Sequence, residues 1–247
     1  MNLRGKTALV TGASKRIGKV IALELASAGV HILLHYNRSA REAASLSRQI
    51  EKMGVSCRRA AFSFSPKDNV SSRIRKFTAS LYKLSPMIDI LVNNAAIFYP
   101  TPLAVKEKDW DEFLTVNLKY PFFLAQEIGL RMSKAGEGKI INLVDWTGQR
   151  PSADYIPYAI SKAGLIAATQ GLAKALAPRV QVNSIAPGPI LPAAGHSARH
   201  HKQAAEKTVL KRYGSPEDIA KTVRYLCEAT DYVTGAMIPV DGGGMIL

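Results

Sequence analysis

Residues 7–18 read Thr7-Ala8-Leu9-Val10-Thr11-Gly12-Ala13-Ser14-Lys15-Arg16-Ile17-Gly18, and this stretch decides the fold. Thr7–Val10 has the uncharged, largely apolar character of a buried strand, and 17–28 has helical periodicity. The glycine-bearing turn between them is the kind that lets backbone N–H groups and a helix N-terminus meet a pyrophosphate. A plain strand-to-helix turn also fits two glycines, but the place of this one, after an N-terminal strand inside a βαβ unit, favours the phosphate reading.

The same alternation continues outward. Short apolar runs at 31–35, 57–62, 88–92, 140–144, 180–185 and Met237–Val240 alternate with amphipathic stretches at 40–53, 109–132, 158–177 and 216–227. Gly29 and Gly54 stand where helix C-caps are expected, and Ser215-Pro216-Glu217-Asp218 opens a helix with a cap, a proline and acids. Strands separated by helices require crossovers, so the expectation is a mainly parallel, seven-stranded α/β sheet covered on both faces. No linker or repeat divides residues 1–247, which read as one domain with a substrate loop at about 189–211.

Composition narrows the class. The 247 residues carry 33 Lys+Arg against 19 Asp+Glu, a net charge of +14, with 47% hydrophobic residues. This excludes a disordered, collagen-like or coiled-coil chain. The positive balance implies anionic partners or an inert basic surface. Its scatter from Arg4 to Arg224 speaks against a nucleic-acid arm. Cys57 and Cys227 form no CxxC pair, no membrane span is visible, and no signal peptide is read, so a soluble cytoplasmic protein is expected. His196, His200 and His201 lack carboxylate or cysteine partners at ligand spacing, and no metal is expected.

The second strand ends in His35-Tyr36-Asn37-Arg38-Ser39, with no acid before Glu42. An acid here would bind a ribose 2′-OH; Arg38 and Ser39 suit a 2′-phosphate instead, which favours NADPH over NADH. Further on, Tyr158 and Lys162 stand four residues apart on one helix face. A nearby ammonium is expected to lower the tyrosine pKa toward a value useful for proton transfer.

On the Thr11–Gly18 turn, Asn93-Asn94-Ala95, Asn117, Tyr158/Lys162, Asn183, Pro187-Gly188 and Val240-Asp241-Gly242-Gly243, the whole chain resembles the short-chain dehydrogenase/reductase family, with its Rossmann-type doubly wound fold. The resemblance implies a catalytic set of Asn117, Tyr158 and Lys162, with Asn117 supporting a proton-relay water. It implies a cofactor site of Gly12, Arg16, Ile17, Gly18, His35, Tyr36, Asn37, Arg38, Ser39, Asn94, Ala95, Tyr158, Lys162, Pro187 and Gly188. A homotetramer using 109–132 and 158–177 is expected on the same ground.

Four departures sharpen the reading. Arg16 replaces a customary glycine, and Asp145 replaces the customary catalytic serine three residues after Asn142. Ser63 stands where an Asp often lies near the adenine, and Leu191 where a polar residue often meets the nicotinamide amide. With the 35–39 segment and Asn94-Ala95-Ala96-Ile97-Phe98-Tyr99-Pro100-Thr101-Pro102-Leu103, the first two resemble the pteridine reductases of this family. That subgroup implies a catalytic Asp145/Tyr158/Lys162 set that performs the chemistry, substrate contacts from Arg16, Phe98, Asp145 and Tyr158, and reduction of dihydropterin, dihydrofolate or oxidised pterins. Phe98 also reads as a core aromatic, and Trp146 as either pocket wall or packing. The alternatives are a carbonyl reductase, such as a 3-oxoacyl-acyl-carrier-protein reductase, and a silent NADPH- or nucleic-acid-binding protein.

Overall fold

A computed structural model describes residues 1–66, 69–192 and 203–247; the three histidines at 196, 200 and 201 lie outside them. Its seven strands are β1 (Thr7–Val10), β2 (His31–Tyr36), β3 (Cys57–Ala61), β4 (Ile90–Asn93), β5 (Gly138–Leu143), β6 (Val180–Pro187) and β7 (Met237–Val240). They form one sheet of order β3-β2-β1-β4-β5-β6-β7, in which every pair is parallel. The expected sheet is therefore present and wholly, rather than mainly, parallel. The order reverses between β1 and β4, so the strands' carboxyl ends open a crevice there. That is where doubly wound sheets bind ligands.

The crossover helices are α1 (Arg16–Ser27), α2 (Ala40–Glu51), α3 (Val70–Leu84), α4 (Glu107–Leu114), α5 (Tyr120–Ala135), α6 (Ile156–Leu176) and α7 (Pro216–Glu228). Two apolar layers sandwich the sheet. Ile21, Leu25, Val223 and Leu226 pack on one face, and Phe77, Leu81, Leu124 and Ile128 on the other. The α7 start is a full capping box, with Ser215 and Asp218 satisfying each other's backbone N–H groups.

Two elements differ from the sequence reading. Helix α3 was not among the expected helices, yet it buries Val70, Ile74, Phe77 and Leu81 at helical spacing. The expected single helix at 109–132 is α4 and α5 joined by a π-helical turn, Thr115–Lys119. Such turns recur at functional sites, and this one carries Asn117.

Candidate active site

The nucleotide end of the crevice is a set of close backbone approaches. Gly12 lies at φ +63°, and a Cβ there would stand 3.0 Å from Ala95 Cα. At Gly18 a Cβ would overlap the Gly12 carbonyl and lie 2.5 Å from Asn94 Nδ2. The space is filled by hydrogen bonds. Asn94 Nδ2 donates to the Thr11 and Gly12 carbonyls at 2.8 and 3.2 Å. The Asn94 and Ala95 N–H groups both donate to Thr11 Oγ1, at 2.9 and 3.0 Å. Thr11 thus clamps β1 to the β4 loop, a role the sequence reading did not assign.

Helix α1 begins without a side-chain cap or an acid in its first turn, leaving its N–H groups and positive dipole end for an anion. Arg38 and Asn37 are exposed beyond β2, while Tyr36 and Ser39 are half-buried. The Ser39 hydroxyl makes no capping bond to α2. These residues fit a dinucleotide: a tight glycine turn, an uncapped helix N-terminus and, past β2, the exposed Arg38.

Arg16 stands at φ +54°, the left-handed region that costs a non-glycine residue about 1–2 kcal/mol. Its guanidinium donates to the Pro192 carbonyl at 3.1 Å, bringing the turn toward the start of the expected substrate loop. His35, expected beside the cofactor, instead turns inward. Its Nδ1 accepts from Gly12 N–H at 3.1 Å, and Nε2 lies 3.0 Å from the Phe62 carbonyl. It stacks on Phe64 at 4.8 Å. Burial pushes its pKa down to about 4, so His35 is a neutral prop beneath the turn and its ring does not face the crevice.

At the other end, Asp145, Tyr158 and Lys162 converge. Tyr158 donates to Asp145 Oδ2 at 2.9 Å. Asp145 Oδ1 accepts from Thr147 N–H at 2.9 Å and from the Thr147 hydroxyl at 2.8 Å. Lys162 is buried and donates to the Leu143 carbonyl at 2.8 Å, its Nζ 5.7 Å from the Tyr158 ring centroid. Below them, Asn93 donates to Asn142 and Asn142 to Thr169, both at 2.9 Å. This buried polar chain joins β4, β5 and α6 under the site.

The electrostatics correct one expectation. Burial and the Asp145 carboxylate hold Tyr158 well above the ordinary tyrosine range, so Tyr158 is a phenol and not a lowered-pKa acid. Burial likewise raises Asp145, against its hydrogen bonds from Thr147 and the attraction of Lys162. Burial lowers Lys162 to about 8, with Asp145 opposing the fall. The lowering of Tyr158 expected from Lys162 is not present: burial and Asp145 raise it instead.

Asn117 is fully committed. It accepts from Ile97 N–H at 2.9 Å and donates to the Ile97 carbonyl at 3.0 Å and to Ser161 Oγ at 3.3 Å. Its side chain fixes the loop that carries Phe98. Phe98 is 45% exposed and so is not core. It stacks on Tyr155 at 4.7 Å, with ring planes 4° apart, and meets Tyr158 edge-on at 4.8 Å. Tyr155 and Thr147 are two further residues of this region that the sequence reading missed, although the Asp-x-Thr spacing is a readable capping signal. Pro187 ends β6, and Gly188 packs tightly on the turn after β7: a Cβ there would stand 2.7 Å from Asp241 Cα. Among the described residues no cluster of three or more His, Cys, Asp or Glu side chains could hold a metal.

Residues 12–244 match a family model described as Enoyl-(Acyl carrier protein) reductase. The chain belongs to the short-chain dehydrogenase/reductase family. It is 36% identical to the 3-oxoacyl-[acyl-carrier-protein] reductase FabG of Aquifex aeolicus (strain VF5), covering 98% of both chains. It is 35% identical to the FabG of Staphylococcus epidermidis (strain ATCC 35984), over 96% of this chain and 98% of that one. Among solved structures it resembles the angucycline C-6 ketoreductase LanV with bound NADP, at 30% identity and TM-score 0.89, over 100% of this chain and 98% of that one. As a member of this family the chain is an NAD(P)-dependent oxidoreductase. Among the described residues, no helix is long and apolar enough to cross a membrane.

Proposed function

We propose that this protein is an NADPH-dependent reductase whose substrate is a nitrogen heterocycle of the pterin or folate class, reduced at a ring C=N bond. The observation that carries the reading is the Asp145 carboxyl bonded directly to Tyr158. A carboxyl that gives up a proton and then, as a carboxylate, accepts N–H suits a ring nitrogen that is protonated during reduction. A ketone offers only an acceptor oxygen, whose developing negative charge that carboxylate opposes.

When bound, NADPH supplies the hydride; the chain supplies orientation and the proton. Tyr158 gives its hydroxyl proton to the ring nitrogen and takes one from protonated Asp145, so no phenolate builds up. The charge ends on the Asp145 carboxylate, held by the Thr147 N–H and hydroxyl and faced by Lys162. Phe98, backed by Tyr155, offers an exposed ring for stacking, and Arg38 with Ser39 favours the 2′-phosphate.

A second reading has its own support. The curated relatives are named 3-oxoacyl reductases and a structural neighbour is named a ketoreductase. These names favour carbonyl reduction more directly than they favour a pterin. Under that reading, protonated Asp145 serves as the neutral donor that a serine would be. NADPH oxidation followed with dihydrobiopterin, dihydrofolate and an acetoacetyl thioester side by side separates the two. Turnover of the pterins alone supports the first, and turnover of the thioester alone replaces it with the second. We further propose a homotetramer, for which Leu130 on α5 and Ile160 on α6 offer exposed apolar contacts; sedimentation at several concentrations tests the assembly.

A further inference from the structure

Asp145 opens a short 3-10 turn, Trp146–Gly148, and this turn is gripped at both ends by glycines. On one side Gly148 lies on α6: a Cβ there would meet Ala163 N, Lys162 C and Ile166 Cδ1, each at 3.1 Å. On the other, the Trp146 indole rests on Gly244, where a Cβ would overlap Cζ3 and stand 2.5 Å from Cε3. The turn holding Gly244 is itself fixed. Asp241 accepts from Gly243 N–H at 2.9 Å and from Met245 N–H at 2.7 Å. Arg150 reaches over from the catalytic loop and donates to the Gly244 carbonyl.

We propose that Trp146 is a positioning residue and that the Gly244 turn is its seat, which sets where Asp145 presents its carboxyl to Tyr158. The inference rests on the reading of Asp145 and Tyr158 as the proton-handling pair. Apart from Tyr158, the carboxyl is held by Thr147 of the same turn, so wherever the turn goes the carboxyl follows. The indole is rigid, and a methyl on residue 244 reaches ordinary carbon–carbon contact, about 3.5–4.0 Å, only if the indole or the glycine turn moves by more than about 1 Å.

Gly244→Ala tests this, with Gly244→Ala/Trp146→Phe as the rescue, since a phenyl ring does not extend to the overlapping indole atoms. Three quantities are read: kcat against pH with whichever substrate the wild type reduces, the NADPH Kd by fluorescence, and the Asp145 carboxyl titration by carbon NMR, assigned with Asp145→Asn. Gly244→Ala is expected to lower kcat about 10- to 100-fold, the scale of a 1 Å misplacement. It should shift the Asp145 titration and leave NADPH Kd nearly unchanged. The double variant should recover most of kcat and return the titration toward wild type. The proposal is overturned if Gly244→Ala leaves kcat and the titration unmoved, or if Trp146→Phe recovers neither. Should Gly244→Ala fail to fold, Trp146→Ala removes the contact without a clash and must itself move the titration. A wild type that reduces neither substrate defeats the functional reading, while the carbon titration still decides the seat.

Discussion

Replacing Asp145 with Asn removes a charge while keeping the shape. The amide oxygen still accepts from the Thr147 N–H and hydroxyl, the partners now at 2.9 and 2.8 Å, and the amide NH2 faces the Tyr158 oxygen. What is lost is the negative charge that the carboxyl, once ionised, sets against Lys162. Breaking a buried ion pair ordinarily costs about 3–5 kcal/mol, because the remaining charge is stranded. Lys162 can escape this, since burial has already lowered its pKa from 10.5 to about 8. In the wild type the cost of burying the ammonium grows as pH falls from 10.5 to about 8. Below that it is constant, because the lysine is charged both folded and unfolded. Without Asp145 the folded-state pKa drops further, and the cost keeps growing below pH 8. Its ceiling is the work of discharging Lys162, RT ln(1 + 10^(8 − pH)): about 0.1 kcal/mol near pH 9, about 0.8 near pH 7.5 and about 2 near pH 6.5.

The Asp145 carboxyl acts in the same direction. Its raised pKa means that stability present at low pH is lost as the folded group ionises, a cost the Asn variant does not carry. Thermal unfolding at the three pH values reads the balance, at about 2–4 °C per kcal/mol for a chain of this size. The variant should melt at or above wild type near pH 9, no more than about 3 °C below it near pH 7.5, and no more than about 8 °C below near pH 6.5. A loss above about 10 °C near pH 7.5, or a gap indifferent to pH, would refute the coupling of Asp145 to Lys162.

Arg38→Asp should raise the NADPH Kd roughly 10- to 100-fold, the scale of a lost charge-assisted bond, while NADH binding holds or improves. Fluorescence titration checks it, and an unchanged preference removes the 2′-phosphate argument. Gly18→Ala forces a methyl against the Gly12 carbonyl and Asn94 Nδ2. Overpacking of about 1–3 kcal/mol plus a weakened Asn94 clamp should lower Tm by about 5–10 °C and weaken NADPH binding; a Tm within about 2 °C of wild type would count against the cradle. His35 titrates at about 4 when folded against 6.5 ordinarily, so its burial removes stability as pH falls through that window. The loss amounts to about 3 kcal/mol at the acid end. Chemical denaturation of His35→Phe should show this acid slope reduced; an identical slope would mean the histidine is not the group responsible.

What the sequence made legible was local. The Thr7–Gly18 stretch and the alternation after it imply the parallel sheet, because strand and helix periods are properties of neighbouring residues. Tyr158 and Lys162 share a helix face by spacing alone, and Asp145 is readable as an acid in an unusual place. Helix α3 was readable too, from Val70, Ile74, Phe77 and Leu81, but intervening Ser, Arg and Lys diluted its apolar stripe. The π turn at Asn117 left no comparable trace, since one extra residue per turn shifts helical phase without altering composition. Tyr158's direction of shift could not be read from Lys162 four residues away. It depends first on burial of the phenol and then on Asp145, thirteen residues earlier, arriving within 2.9 Å. The place of the His35 ring was hidden for a similar reason: a strand's last residues face alternately inward and outward, and only the packed Phe64 and Gly12 show which side the ring took.

The most direct test of the account is the ratio of kcat/KM for dihydrobiopterin to that for an acetoacetyl thioester, measured in the wild type and in Asp145→Ser. The carboxylate reading predicts a wild type that prefers the pterin, and a variant whose ratio falls by about 100-fold or more, the effect of about 3 kcal/mol in the transition state, with NADPH affinity kept. A wild type that prefers the thioester, and a variant that leaves that preference in place, would contradict it.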